Sequence, residues 1–135
     1  MKPLAIWLVV FAAVFGGFAV VASSQQETSQ VFVFVDSSNP MKGVWRDVPA
    51  ALDGIDDADR SEFALAQGQS RGAELVHSFR PELDLGAVMP FAPCSFDEID
   101  GFTEAADADE RILVTTAGSC DTSALVDWTI VLLEE

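Results

Sequence analysis

Five consecutive residues, Val31-Phe32-Val33-Phe34-Val35, are β-branched or aromatic, and the run ends at Asp36-Ser37-Ser38-Asn39-Pro40. A strand with one wet face alternates apolar with polar, so a run without alternation has to be covered on both faces. The segment is therefore expected at the centre of a sheet, with a turn from Asp36 to Pro40. The rest of the chain must supply neighbouring strands and layers above and below.

Those partners can be read from periodicity. Between Met41 and Ile55, Trp45, Val48, Leu52 and Ile55 recur at three- and four-residue spacing, which places them on one face of a helix that Pro49 kinks or restarts. Glu62 to Gln67 and Ala73 to Phe79 read as two strands joined by Gly68-Gln69-Ser70-Arg71-Gly72, a hairpin loop flanked by glycines. Leu83 to Pro93 is interrupted by Gly86, Pro90 and Pro93 and has room for one helical turn at most. Ser95 and Glu98 form a capping box ahead of Ile99, Phe102 and Ala106, which predicts a helix from Phe96 to Ala106. Arg111 to Thr116 and Trp128 to Leu133 are the last strands, with no more than a turn at Asp121 to Leu125 between them. The alternation predicts an α/β fold: a mostly parallel sheet of five strands with an antiparallel edge hairpin and helices on both faces.

Ahead of this body, Leu4 to Ala22 is an apolar stretch of nineteen residues without a polar side chain, preceded by Lys2. At about 1.5 Å per helical residue it just spans a hydrocarbon core of roughly 30 Å. With no further cation until Lys42, the N-terminus is expected to stay in the cytoplasm and the body to be exported. Residues 1–22 are expected to act as an uncleaved signal anchor, although Val20-Val21-Ala22 before Ser23 also satisfies the small-residue rule for cleavage. A cleaved leader would leave the body secreted or periplasmic. Residues 23–30 read as a polar tether and residues 31–135 as one domain.

Charge narrows the partners. The chain has 22 Asp and Glu against 7 Lys and Arg, a formal charge of −15, with every acid at or beyond Glu27. Such a surface repels polyanions, so no nucleic acid is expected as a partner. Groups such as Asp53, Asp56, Asp57, Asp59 and Asp107, Asp109, Glu110 read as solvated loops. An EF-hand loop begun at Asp57 would need a bidentate acid where Gly68 stands.

The run Val31 to Val35 followed by Asp36-Ser37-Ser38-Asn39-Pro40-Met41 is one of several local likenesses. An amphipathic helix follows, then a hairpin whose second strand reads Ala73-Glu74-Leu75-Val76-His77-Ser78-Phe79, and later Arg111-Ile-Leu-Val-Thr-Thr-Ala-Gly118. Together they resemble a compact von Willebrand factor type A domain of bacterial exported proteins, from Val31 to Leu133. The resemblance implies a Rossmann-like sheet of order 3-2-1-4-5. It also implies a metal-ion-dependent adhesion site built on D-x-S-x-S, a later Thr, and the Asp of a Thr-Asp-Gly. Asp36 and Ser38 match the first two positions, and Ser95 stands in for the threonine. Pro40 replaces the second serine and Ala117 the second aspartate, so the implied site is vestigial and a Mg²⁺ cofactor is not expected to be held. The implied partner is another envelope or secreted protein, docking on a rim that includes Asn39, Pro40 and Ala117.

Cys94 just before the capping box and Cys120 just after the strand Arg111 to Thr116 fall in loops at one edge of a parallel sheet, so a disulfide is expected. Enzyme signatures are missing: His77, the one histidine, lies on a predicted strand, no serine has a G-x-S-x-G elbow, and Gly68 to Gly72 joins strands instead of opening a helix. Two alternatives stay open, an exported enzyme of unknown chemistry and a thioredoxin-like protein lacking the C-x-x-C pair. The strand order 3-2-1-4-5 with an edge hairpin would favour the first resemblance over the thioredoxin-like one.

Overall fold

The computed structural model describes residues 28–57, 61–69, 71–86, 90 and 92–134. The expected signal anchor and most of the tether lie outside them. Among the described residues no helix is long and apolar enough to cross a membrane.

The strands are β1 (Ser29–Val35), β2 (Ser61–Gln69), β3 (Gly72–Arg80), β4 (Glu110–Thr116) and β5 (Thr129–Leu133), in a single sheet of order β3-β2-β1-β4-β5. β1 begins at Ser29, so the last two residues of the expected tether belong to the sheet. It is central, parallel to β2 with Val33 opposite Leu65 and parallel to β4 with Val33 opposite Ile112. β4 and β5 are also parallel, and only the β2–β3 hairpin at one edge is antiparallel. The hairpin loop is tighter than expected: pairing continues to Gln69 opposite Gly72, whose φ of +89° is a conformation that glycine adopts without strain.

Alternation along β1 sorts its side chains into two cores. Val31, Val33 and Val35 join Phe63, Leu65, Ile112 and Val114 beneath Met41, Val44, Val48 and Leu52. Phe32 and Phe34 join Ala64, Ala66 and Leu113 beneath Ile99, Ala105, Leu125 and Trp128. Small alanines on β2 lie beside the two phenylalanines, and the Phe32 ring meets Phe102 at 5.7 Å and Trp128 edge-on at 5.8 Å. Each such side chain, fully buried, contributes about 1.5–3 kcal/mol.

The first helical region restarts at the proline. Short 3-10 turns at Asn39–Lys42 and Trp45–Asp47 lead into α1 (Val48–Asp56), where Pro49 occupies the first turn and loses no hydrogen bond. Asp53 and Asp56, expected in a loop, lie on this helix. The second helix is much shorter than Phe96 to Ala106. A 3-10 turn at Ile99–Gly101 precedes α2 (Thr103–Asp107), with Phe102 extended between them at φ −80° and ψ 138°. Gly101 costs about 1 kcal/mol relative to alanine inside a helix, and so short a segment gains too few hydrogen bonds to offset that. The break still allows Ile99 and Phe102 to pack on the same core.

β3 pairs irregularly with β2, its register slipping on both sides of the Leu65–His77 pair. There His77 donates from Nδ1 to the Ser78 carbonyl at 2.9 Å, while Nε2 is buried without a partner. Burial holds the imidazole pKa below its ordinary value, with Arg80 adding to the effect and the Ser78 carbonyl and Asp84 opposing it. The native state therefore favours neutral His77, and this stabilisation is complete above the unfolded value of about 6.5 and lost as pH falls through the lowered native one. Urea unfolding of the wild type should show stability declining as pH falls below the ordinary imidazole value of about 6.5. The decline should be shallower in His77→Gln; identical slopes would contradict the assignment.

Candidate functional site

In a sheet of this order the chain leaves β1 toward β2 and leaves β4 toward β5, so the loops after β1 and β4 diverge and open a crevice at the carboxyl ends of the two strands. Asp36 is the residue at that point. Its N–H donates to the Val114 carbonyl at 2.9 Å, extending the ladder by one residue past β1. Strand alternation then carries its side chain to the face of Phe34, where Thr115 of β4 also points.

Asp36 is only 2% exposed. A carboxylate removed from water is costly unless its oxygens are bonded, and here the chain supplies three donors. Oδ1 accepts from the Ser38 N–H at 2.9 Å; Oδ2 accepts from the Thr115 hydroxyl at 2.7 Å and from the Ser119 hydroxyl. Since the Ser119 proton is given to Asp36, the Ser38 hydroxyl, 3.0 Å away, donates to the Ser119 oxygen. Bonds to a charged group are worth about 1.5–3 kcal/mol each, which offsets much of the desolvation. The same residues fasten the loop after β1 to the end of β4 and the loop beyond it.

A second set of bonds secures the other side of the rim. The Ser37 hydroxyl donates to the Gly68 carbonyl at 2.5 Å, and the Ala92 N–H donates to the Ser37 carbonyl at 2.9 Å. Gly68 sits so close that an added Cβ would be 3.1 Å from both Ser37 Oγ and the Ala92 methyl. Cys94 and Cys120 form a disulfide with Cα atoms 5.2 Å apart, joining the segment after β3 to the loop after β4. In the chain-entropy account, closing a loop of this length stabilises by about 3 kcal/mol.

Of the residues singled out in the sequence, Asp36 and Ser38 come together, and Asn39, Pro40 and Ala117 are exposed beside them on the loops after β1 and β4. Ser95 is exposed, and its hydroxyl accepts from the Asp97 N–H at 3.3 Å; the hydroxyls bonded to Asp36 are those of Thr115 and Ser119. Neither was singled out from the sequence. The position at which the resemblance implies an aspartate falls on Ala117, whereas the oxygens that reach Asp36 come from the end of β4 and from the residue beside Cys120. The visible signal was the polar, small-residue run Thr115-Thr116-Ala117-Gly118-Ser119 following an apolar strand.

The donor set does not suit a resident Mg²⁺. It has one carboxylate, both of whose oxygens are committed to protein donors, and among the described residues no three His, Cys, Asp or Glu gather as a metal group. The Ser119 hydroxyl donates to a carboxylate, and the His77 ring is bonded elsewhere, to the Ser78 carbonyl. Isothermal titration with Mg²⁺, Mn²⁺ and Ca²⁺ should show no saturable binding in the micromolar range. Micromolar binding that disappears in Asp36→Ala would contradict this.

Comparison with family models, with curated proteins and with solved structures returned no match, so no family is shown for this chain.

Proposed function

We propose that this chain is an exported or membrane-tethered protein-interaction module resembling a degenerate von Willebrand factor type A domain, and that it performs no covalent chemistry. The observation that carries this reading is Asp36 at the switch point of a 3-2-1-4-5 sheet, with its charge fully engaged by Ser38, Thr115 and Ser119. In a metal-dependent adhesion site that position serves a cation; here it braces the loops instead. Asn39, Pro40 and Ala117, uncharged and exposed, then form a rim shaped by a rigid base. The partner is another envelope or secreted protein that tolerates the strongly negative surface around the rim. The sheet order also favours this reading over the thioredoxin-like alternative.

The test places a photo-activated cross-linking residue at Ala117 in one full-length protein and at exposed Ser78, toward the amino end of the sheet, in another. In cells making each version, Ala117 should give a discrete adduct that Ser78 does not, and excess unlabelled wild type should compete it away while Ala117→Arg should not. Equal adducts from both positions, or none from Ala117, would contradict the rim as the docking surface.

A further inference from the structure

The disulfide and the buried carboxylate are not separate features. Ser119 precedes Cys120 in sequence, its hydroxyl donates to Asp36, and its oxygen lies 3.6 Å from the sulfur of Cys94. The loop after β4 is therefore held covalently at Cys120 and, at Ser119, by the hydroxyl's bonds and by its N–H, which donates to the Thr116 carbonyl at 3.1 Å. Its neighbours Ala117 and Gly118 are exposed. Meanwhile Cys94 is exposed, so a thiolate in solvent can reach its sulfur, while Cys120 is half-buried.

We propose that Cys94–Cys120 is a redox latch on the Asp36 rim, opened by an external dithiol reductant and closed by reoxidation. The reductant's first thiolate attacks the Cys94 sulfur, the Cys94–Cys120 bond breaks, and Cys120 leaves as a thiolate that takes up a proton. The second thiol of the reductant, losing its proton, then attacks its own sulfur in the mixed disulfide and releases Cys94. Two electrons and two protons pass from the dithiol to the cysteine pair, and the reductant leaves as a disulfide. With the bond cut, the segment carrying Ser119 loses its covalent anchor. Its hydroxyl leaves Asp36, the Ser38 hydroxyl loses its acceptor, and the turn Asp36 to Ser38 loosens. β1 and β4 are unaffected, because their ladder bonds and both cores are built without either cysteine. The latch depends only on this geometry, whether or not a partner docks on the rim.

Amide hydrogen exchange followed by NMR on the full chain, with detergent present, tests it by comparing the oxidised protein with the same protein kept in dithiothreitol. On reduction the Ser38 amide, which donates to Asp36, should exchange at least about ten-fold faster, the size of change expected for a local opening. Phe34 and Leu113 in the central ladder should hold their rates. In Ser119→Ala the Ser38 amide should already exchange fast when oxidised, and reduction should add little. Ser119→Thr, which keeps the hydroxyl, should restore the response. No change in Ser38 on reduction would overturn the latch. So would equal acceleration of every amide, which would mean that the bond only staples the whole fold, or an undiminished response in Ser119→Ala.

Discussion

Asp36 sits just past the carboxyl end of the central strand, the most buried in the molecule, and its carboxylate must be satisfied by the chain because water is excluded. Three donors from two different loops and one strand end meet that requirement. Each was placed by a separate segment, so the carboxylate acts as a common anchor for loops that would otherwise be free to move apart. The core fixes where β1 lies; the carboxylate fixes how the chain leaves it. Among the described residues no cation pairs with Asp36, and the salt bridges present, Arg46–Asp47 and Arg111–Asp100, lie toward the surface and contribute little.

The parts of the fold that were legible in the sequence are those where a physical requirement has few solutions. Val31 to Val35 could only be a doubly covered strand, and it is central, with its odd and even residues dividing between two cores. Pro49 could not continue a helix from upstream and duly opens α1. The flanking glycines marked the hairpin, and the cysteine positions marked the bridge. The segment Phe96 to Ala106 misled because an apolar stripe and a capping box describe what a helix would bury, and say nothing of whether Gly101 lets it persist. Ser95 instead accepts from the Asp97 N–H in a local turn, a competing use of serine hydroxyls common outside helices. Thr115 and Ser119 were illegible for another reason. Their role depends on which side of β1 the strand β4 lies and on the path of the loop beyond it, and one sequence fixes neither contact.

The same geometry relates the proposed interaction to the negative charge. A surface of net charge −15 repels non-specific acidic partners at long range and is screened by salt. In the proposed interaction, discrimination rests on short-range shape, which a rim offers only if its base is stiff. Ser37 on Gly68, Ala92 on Ser37, Asp36 on its three donors and the disulfide are the contacts that stiffen it. A metal ion would supply such stiffness in an adhesion site; hydroxyl groups and a covalent bridge supply it here.

The central claim is that Asp36 and the donors around it act as a unit, and a double-mutant cycle between Asp36→Ala and Thr115→Val tests it directly. Urea unfolding of the two single variants and the double variant should give a coupling of about 1–3 kcal/mol, the double variant being less destabilised than the sum of the singles. Free energies that add within about 0.3 kcal/mol would show that the carboxylate and the hydroxyl stabilise the fold independently, and the account would be wrong.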